Sequence, residues 1–217
     1  MKQVITKDGS ITFHSEEYDE TYHSVSGAVE EAFKKFVEPA LEFVKGKQEV
    51  RILDIGFGLG YNSAAAMDRI LEANLHCEIT IIGLEKDKEI LDKIKELKPM
   101  IMTYHAIQEM VENNYKYNRE GIKINLMVCD AVKAIKKVKG KFDIILHDPF
   151  SPKKNPELWT QAFFKELRKH IKKEGVLTTY SCAGEVRRNL KKAGFKVFDG
   201  PVVGRRAPGT IAVPITR

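Results

Sequence analysis

Cysteine is scarce in this chain of 217 residues: there are three, Cys77, Cys129 and Cys182, scattered and without a CxxC pair. That argues against a disulfide framework or a thiolate zinc site, and it fits a reducing, cytoplasmic setting. The six histidines show no ligand spacing, so no metal is expected. No apolar run approaches the roughly 18 residues of a membrane span and no signal peptide is visible, so no membrane partner is expected. Repeats and low-complexity linkers are missing too, which leaves one domain with a sizeable core and no reading of oligomeric state.

Acidic residues are depleted in one part only. Residues 133–217 hold 20 Lys and Arg against 7 Asp and Glu, a balance of +13, whereas residues 1–132 hold 16 against 23, a balance of −7. A lysine run alone is usually a solvated helix face. So one-sided an excess points instead to a polyanion, and nucleic acid is the expected partner. Lys153, Lys154, Arg187, Arg188, Arg205 and Arg206 are the candidate phosphate contacts.

The chain is organised around Val50 to Asn62, VRILDIGFGLGYN. A short apolar run reads as a buried parallel strand, breaks into glycines at positions 56, 58 and 60, and leads into an Ala-rich helix. Alternate glycines let the backbone turn sharply beside a ligand, with the next helix N-terminus facing the same spot. A dinucleotide fingerprint would be G-x-G-x-x-G, but Tyr61 stands where its third glycine belongs. The pattern D-x-G-x-G-x-G, opening at Asp54, is similar to motif I of class I methyltransferases, which bind S-adenosyl-L-methionine.

Three further apolar runs end in acids: Ile79–Leu84 in Glu85, Ile124–Val128 in Cys129-Asp130-Ala131, and Phe142–Leu146 in His147-Asp148. Ligands of open α/β sheets bind outside the carboxyl ends of the strands, so these acids converge on one crevice. Glu85 is placed for ribose hydroxyls and Asp130 for an adenine amino group. Asp130 is also a helix N-cap candidate.

The remaining elements read in order. Residues 1–14 form a β-hairpin around Asp8-Gly9, and the polar, aromatic stretch 13–28 is a loop whose Tyr18, Tyr22 and His23 form a lid over the cofactor. A helix follows over 28–44, kinked at Pro39, and others over 86–97 and 104–117. Lys86 stands at the adenosine edge. A short helix to about Val138 follows Asp130, and Pro156 opens a helix carrying Phe163, Phe164 and Leu167, with Trp159 in the core. A strand over 176–180, a basic helix over 185–192 and strands near 195–198 and 210–215 complete the count. The sum is an α/β, Rossmann-like fold: a seven-stranded, mostly parallel sheet with helices on both faces and an N-terminal β-hairpin. Residues 1–45 are expected to cover the cofactor site and residues 46–217 to form the methyltransferase core.

Four segments resemble the methyltransferase domain of the MnmC family, which forms 5-methylaminomethyl-2-thiouridine in tRNA. They are the Tyr-rich stretch ending in Ser26-Gly27-Ala28-Val29-Glu30-Glu31-Ala32, the loop Ile55-Gly56-Phe57-Gly58, the run from Asp148-Pro149-Phe150 to Glu157-Leu158-Trp159, and Tyr180 to Arg188 with Gly194-Phe195. The resemblance implies methyl transfer from S-adenosyl-L-methionine to the aminomethyl nitrogen of a tRNA wobble uridine. It implies Asp148 as the catalytic residue. The expected cofactor contacts are Tyr22, Ser26, Asp54, Gly56, Gly58, Asn62, Glu85, Lys86, Asp130, Ala131 and Asp148. Phe150 is expected to stack on the extruded uracil. This chain departs from the family in having Pro149 for glycine and Gly204-Arg205-Arg206-Ala207-Pro208-Gly209 for a closing Gly-Arg-Lys-Arg. It also ends without the flavin-dependent oxidase domain of bifunctional members, so no FAD is expected.

Other classes remain to be weighed. A polyamine aminopropyltransferase shares the acid pattern, but the +13 half would repel its polycationic substrates. An NAD-dependent dehydrogenase fails on glycine spacing. A tRNA-binding module without catalysis needs no acids at four strand ends. A methyltransferase acting on another RNA or on a small amine stays open.

Overall fold

The computed structural model describes residues 1–204 and 206–215. Three short strands open the chain: β1 (Lys2–Ile5), β2 (Ile11–Ser15) and β3 (Glu20–Thr21). They form an antiparallel sheet in the order β1-β2-β3. The expected hairpin is therefore present, and the stretch expected to be loop adds a third strand to it.

Residues 28–41 run as α1 (Ala28–Glu31), a π-helical turn (Ala32–Val37) and α2 (Glu38–Leu41). Pro39 has no N–H to donate, and the helix widens in the turn just before it. The core then alternates strands and helices. In chain order these are β4 (Glu49–Ile55), α3 (Tyr61–Ala73), β5 (Glu78–Glu85), α4 (Lys88–Lys93), α5 (Tyr104–Glu112), β6 (Lys116–Arg119) and β7 (Ile122–Val128). They continue through α6 (Ala131–Ala134), β8 (Phe142–His147), α7 (Gln161–His170), β9 (Ile171–Thr179), α8 (Gly184–Lys192), β10 (Phe195–Val202) and β11 (Pro208–Pro214).

Among the described residues the main sheet has eight strands, in the order β10-β11-β9-β8-β4-β5-β7-β6. The five central strands, from β9 to β7, pair in parallel, and the flanking strands are antiparallel. The additional strand is β6, in a stretch that the sequence reading made the end of a helix. The helix stops at Glu112, and Asn114 and Tyr115 take positive φ, which turns the chain back onto β7.

A strand presents alternate residues to opposite faces, and β4 shows why a continuous apolar run was needed. Val50 and Ile52 enter one core with Phe36, Met67, Ile107 and Met110, while Leu53 and Ile55 enter the other with Phe164, Leu167, Val186 and Leu190. Helices thus cover both faces. Trp159 lies in the second core at 2% exposure. Pro156, however, opens only a short 3-10 turn ending at Trp159; α7 begins afterwards, where the Thr160 hydroxyl accepts from the Phe163 N–H. No described helix is long and apolar enough to cross a membrane.

Candidate active site

The strand order reverses on either side of β4, and there the carboxyl ends of β4, β5, β7 and β8 border one cavity of about 330 Å³. The loop after β4 forms its floor. Gly56 has φ of 76°, and a Cβ there would lie 2.6 Å from the Asp148 carbonyl oxygen, so only glycine permits this approach. The Gly58 N–H donates to Glu85 Oε2 at 2.8 Å, while Glu85 Oε1 accepts from the N–H groups of Lys86 and Asp87. Glu85 is thereby fixed at the tip of β5. Burial holds its carboxyl above the usual range, although the three backbone donors oppose that shift.

Asp148 follows β8 directly. Its N–H donates to the Ile55 carbonyl, and Asn62 Nδ2 donates to its Oδ2 at 2.8 Å. Burial, then the Glu31 carboxylate, raises its carboxyl well above the ordinary carboxylate range; the Asn62 hydrogen bond works the other way. The loop beyond is braced. Tyr180 donates to the Pro149 carbonyl, Trp159 Nε1 to the Phe150 carbonyl, and the Ser151 N–H to Glu20 Oε2. His147 is fully buried beneath it against Trp159, where burial lowers its pKa to about 3 and keeps the ring neutral.

The N-terminal segment closes the cavity from above. Tyr22 donates to Asp87, Lys86 pairs with Glu17 at 2.8 Å, and Lys154 pairs with Asp19 at 3.3 Å. Tyr18 stacks on Phe150 with ring centroids 4.3 Å apart, and Tyr22 meets the edge of the same ring. One face of Phe150 is thus already occupied by Tyr18.

Eleven of the residues expected from the sequence line this cavity: Tyr18, Tyr22, His23, Gly56, Gly58, Glu85, Lys86, Asp130, Ala131, Asp148 and Phe150. Three lie outside it. Ser26 bonds the Ser24 hydroxyl near Gly204, and Asn62 sits behind Asp148 as its donor. Asp54 is wholly buried in β4, accepts from the Ser63 hydroxyl through Oδ2, and has no described partner for Oδ1. Asp130 is the N-cap of α6, accepting from the Val132 and Lys133 N–H groups, and lines the cavity as well. Glu17, Asp87, Cys129, Glu157 and Leu158 also line it and were missed by the sequence reading. Asp87, two residues past the strand-ending Glu85, was the one with a usable signal, as the N-cap of the next helix.

Of the candidate phosphate contacts, Lys153, Lys154, Arg188 and Arg206 are exposed. Arg187 is committed to the fold: it donates to the Thr210 hydroxyl and Gly209 carbonyl and pairs with Asp199 at 2.6 Å. Its use as a free phosphate ligand is corrected accordingly. Arg205 lies outside the described residues.

Asp54 carries a pH signature. Burial, with the charge of Glu85 adding to it, raises its pKa from 3.8 to about 7. Its unfolded form ionises first, so wild-type stability declines from about pH 4 to about pH 7 for this group and is level above. Asp54→Asn is therefore expected to gain in melting temperature relative to wild type across that window, with a constant difference at higher pH. Parallel thermal scans of the two proteins at closely spaced pH values check this.

Comparison with known proteins agrees with the geometry. A model described as S-adenosyl-L-methionine-dependent methyltransferase matches residues 92–214, and one for protein-L-isoaspartate(D-aspartate) O-methyltransferase matches residues 6–136. The crystal structure of MnmC2 from Aquifex aeolicus superposes with a TM-score of 0.86 at 38% identity, covering 100% of this chain and 72% of that one. An uncharacterized protein of Methanocaldococcus jannaschii is 36% identical over 96% of this chain and 58% of its own length. The tRNA 5-methylaminomethyl-2-thiouridine biosynthesis bifunctional protein MnmC of Burkholderia thailandensis is 27% identical over 88% of this chain and 32% of its own. The chain thus spans about a third to three-fifths of these two curated relatives. It belongs to the S-adenosyl-L-methionine-dependent methyltransferases, in the group of MnmC and MnmC2. Its cofactor is accordingly S-adenosyl-L-methionine.

The residues of the cavity fit that group. A glycine turn that comes too close to Asp148 for a Cβ at Gly56, a carboxylate fixed at the tip of β5 and another acid after β7 suit a nucleoside. The acidic wall suits a sulfonium cation.

Proposed function

We propose that this chain methylates the aminomethyl nitrogen of a tRNA wobble uridine, converting 5-aminomethyl- to 5-methylaminomethyl-(2-thio)uridine. The observation that carries this reading is the Asp148 carboxylate, aimed by Asn62 and bordering both the nucleoside cavity and a second cavity beside it. Glu85 would hold the ribose hydroxyls and Asp130 the adenine amino group, and Tyr22 with Tyr18 would close over them. When bound, the cofactor supplies an electrophilic methyl on a positively charged sulfur.

The acceptor nitrogen attacks with its lone pair, so the ammonium must first lose a proton. Asp148 is suited to take it. A carboxyl whose affinity for protons is raised by burial is a stronger base than an exposed one, and an arriving cation restores its charged form. Asp148 passes that proton on to solvent, and as a carboxylate it then accepts a remaining N–H, which aims the lone pair and stabilises the positive charge developing on nitrogen. Asn62 keeps its orientation, and the hydrogen bonds from Tyr180 and Trp159 keep the loop in place.

The test is transfer of labelled methyl to tRNA carrying 5-aminomethyluridine, beside the same tRNA without it and beside a free diamine. Label appearing only in the modified tRNA supports the reading, and transfer to the diamine alone favours a small-molecule enzyme.

The exposed Lys153, Lys154, Arg188 and Arg206 would grip tRNA phosphates. Log affinity for tRNA is then expected to fall linearly with log salt, by roughly 0.7–0.9 per phosphate neutralised. Replacing Lys153 and Arg188 by Ala together is expected to flatten the slope by about two phosphates' worth. Filter binding across a salt series measures it, and a salt-independent affinity would leave the basic half a role in solubility only.

A further inference from the structure

The second cavity, about 190 Å³, shares Tyr22, His23, Asp148, Pro149 and Phe150 with the first and adds Glu20, Glu31 and Tyr180. Phe150 therefore stands between two chambers that meet at Asp148. The wall of the second chamber lies beside a turn of the basic half at Ser24. A Cβ on Gly204 would lie 3.8 Å from the hydroxyl of Ser24, which lines the chamber, and exposed Arg206 follows two residues on.

Glu31 is the unusual member of this wall. Its Oε1 accepts from Lys35 Nζ at 2.5 Å and its Oε2 from the Ser24 N–H at 3.3 Å. The Lys35 side chain is 1% exposed and that of Glu31 14% exposed. An ion pair withdrawn this far from water contributes little net stability, because desolvation offsets the attraction. What it does provide is position. The π-helical turn from Ala32 to Val37 carries Lys35 inward and brings its ammonium onto Glu31. Glu31 so held lines the chamber together with Asp148, where its negative charge raises the Asp148 carboxyl and that of Lys35 opposes the rise.

We propose that this chamber receives the acceptor group and that Glu31, set in place by Lys35, is a specificity-determining residue that selects a primary ammonium over a neutral group of the same size. This deepens the functional reading above and rests on it. A cation beside the mostly buried Glu31 carboxylate is stabilised more than a hydroxyl would be, and the ammonium donates hydrogen bonds to the wall that a hydroxyl cannot all supply. Its proton passes to Asp148, leaving the amine lone pair free, so Glu31 binds and Asp148 reacts.

The experiment compares two tRNAs identical except at the wobble base, one with 5-aminomethyluridine as substrate and one with 5-hydroxymethyluridine as competitor. In wild type the aminomethyl form is expected to be bound about tenfold or more tightly than the hydroxymethyl form. In Glu31→Gln, which leaves the Lys35 charge unopposed beside the chamber, that preference is expected to fall at least about fivefold, and Glu31→Asp to recover part of it. The double variant Glu31→Gln with Lys35→Met removes both charges and guards against an unfolded single variant. It is expected to show the same loss, with calorimetric S-adenosyl-L-methionine affinity within about threefold of wild type. An unchanged preference in the folded double variant overturns this inference while leaving the functional reading intact. Wild-type protein that transfers no methyl to aminomethyl-tRNA overturns both.

Discussion

Asp148→Ala is expected to lower the rate of methyl transfer by about 10²–10⁴-fold, the range for a positioned acid–base group. The argument begins with place. The residue caps the carboxyl end of β8, its backbone is tied to Ile55, and its carboxylate is oriented by Asn62. Without the carboxylate the ammonium has no positioned group to take its proton, and the lone pair is no longer aimed. S-adenosyl-L-methionine and tRNA affinities should remain within a few-fold, because Glu85 and the exposed basic residues are untouched. Single-turnover transfer of labelled methyl to aminomethyl-uridine tRNA checks it. Turnover near wild type would leave Asp148 as a brace of the Pro149–Pro152 loop and assign the rate to proximity.

Glu85→Ala is expected to weaken S-adenosyl-L-methionine binding by about 1–3 kcal/mol, roughly five- to 150-fold, the cost of losing a charged hydrogen-bond acceptor. Two losses combine here. The ribose hydroxyls lose their acceptor, and the N–H groups of Gly58, Lys86 and Asp87 lose the carboxylate that organises the cavity floor. Loss of the second kind makes the loop less ordered before any ligand arrives, so heat capacity and enthalpy of binding should change together with affinity. Isothermal titration calorimetry resolves this. An unchanged affinity would displace the cofactor site from the tip of β5.

Much of this architecture was legible in the chain itself. A central parallel strand buried on both faces must be apolar throughout, so Ile52, Leu53 and Ile55 announced β4, and the glycines after it announced the turn. Because ligands of such sheets bind at the carboxyl ends of the strands, the acids Glu85, Asp130 and Asp148 could be assigned to one crevice before any coordinates. Local chemistry sufficed there. Asp54 belonged to the same pattern, yet it lies wholly buried and bonded to Ser63, because alternation along β4 turns it away from the cavity.

Tertiary structure decided what depends on contacts between distant segments. Arg187 reads as one more cation in a basic run, and only the pairing of β10 with β11 brings Asp199, Thr210 and Gly209 to it. Edge strand β6 was hidden because a helix and a strand follow one another within a few residues, with the reversal made by positive φ at Asn114 and Tyr115. Only the fold stacks Tyr18, 132 positions earlier, on one face of Phe150. Glu20 and Glu31 were given no role by the sequence, and they line one cavity with Asp148 because the N-terminal segment folds back across the ends of β4 and β8. Periodicity and strand-end chemistry are short-range properties that a sequence displays directly, whereas which charges meet across a cavity is set by chain reversals that bring remote segments together.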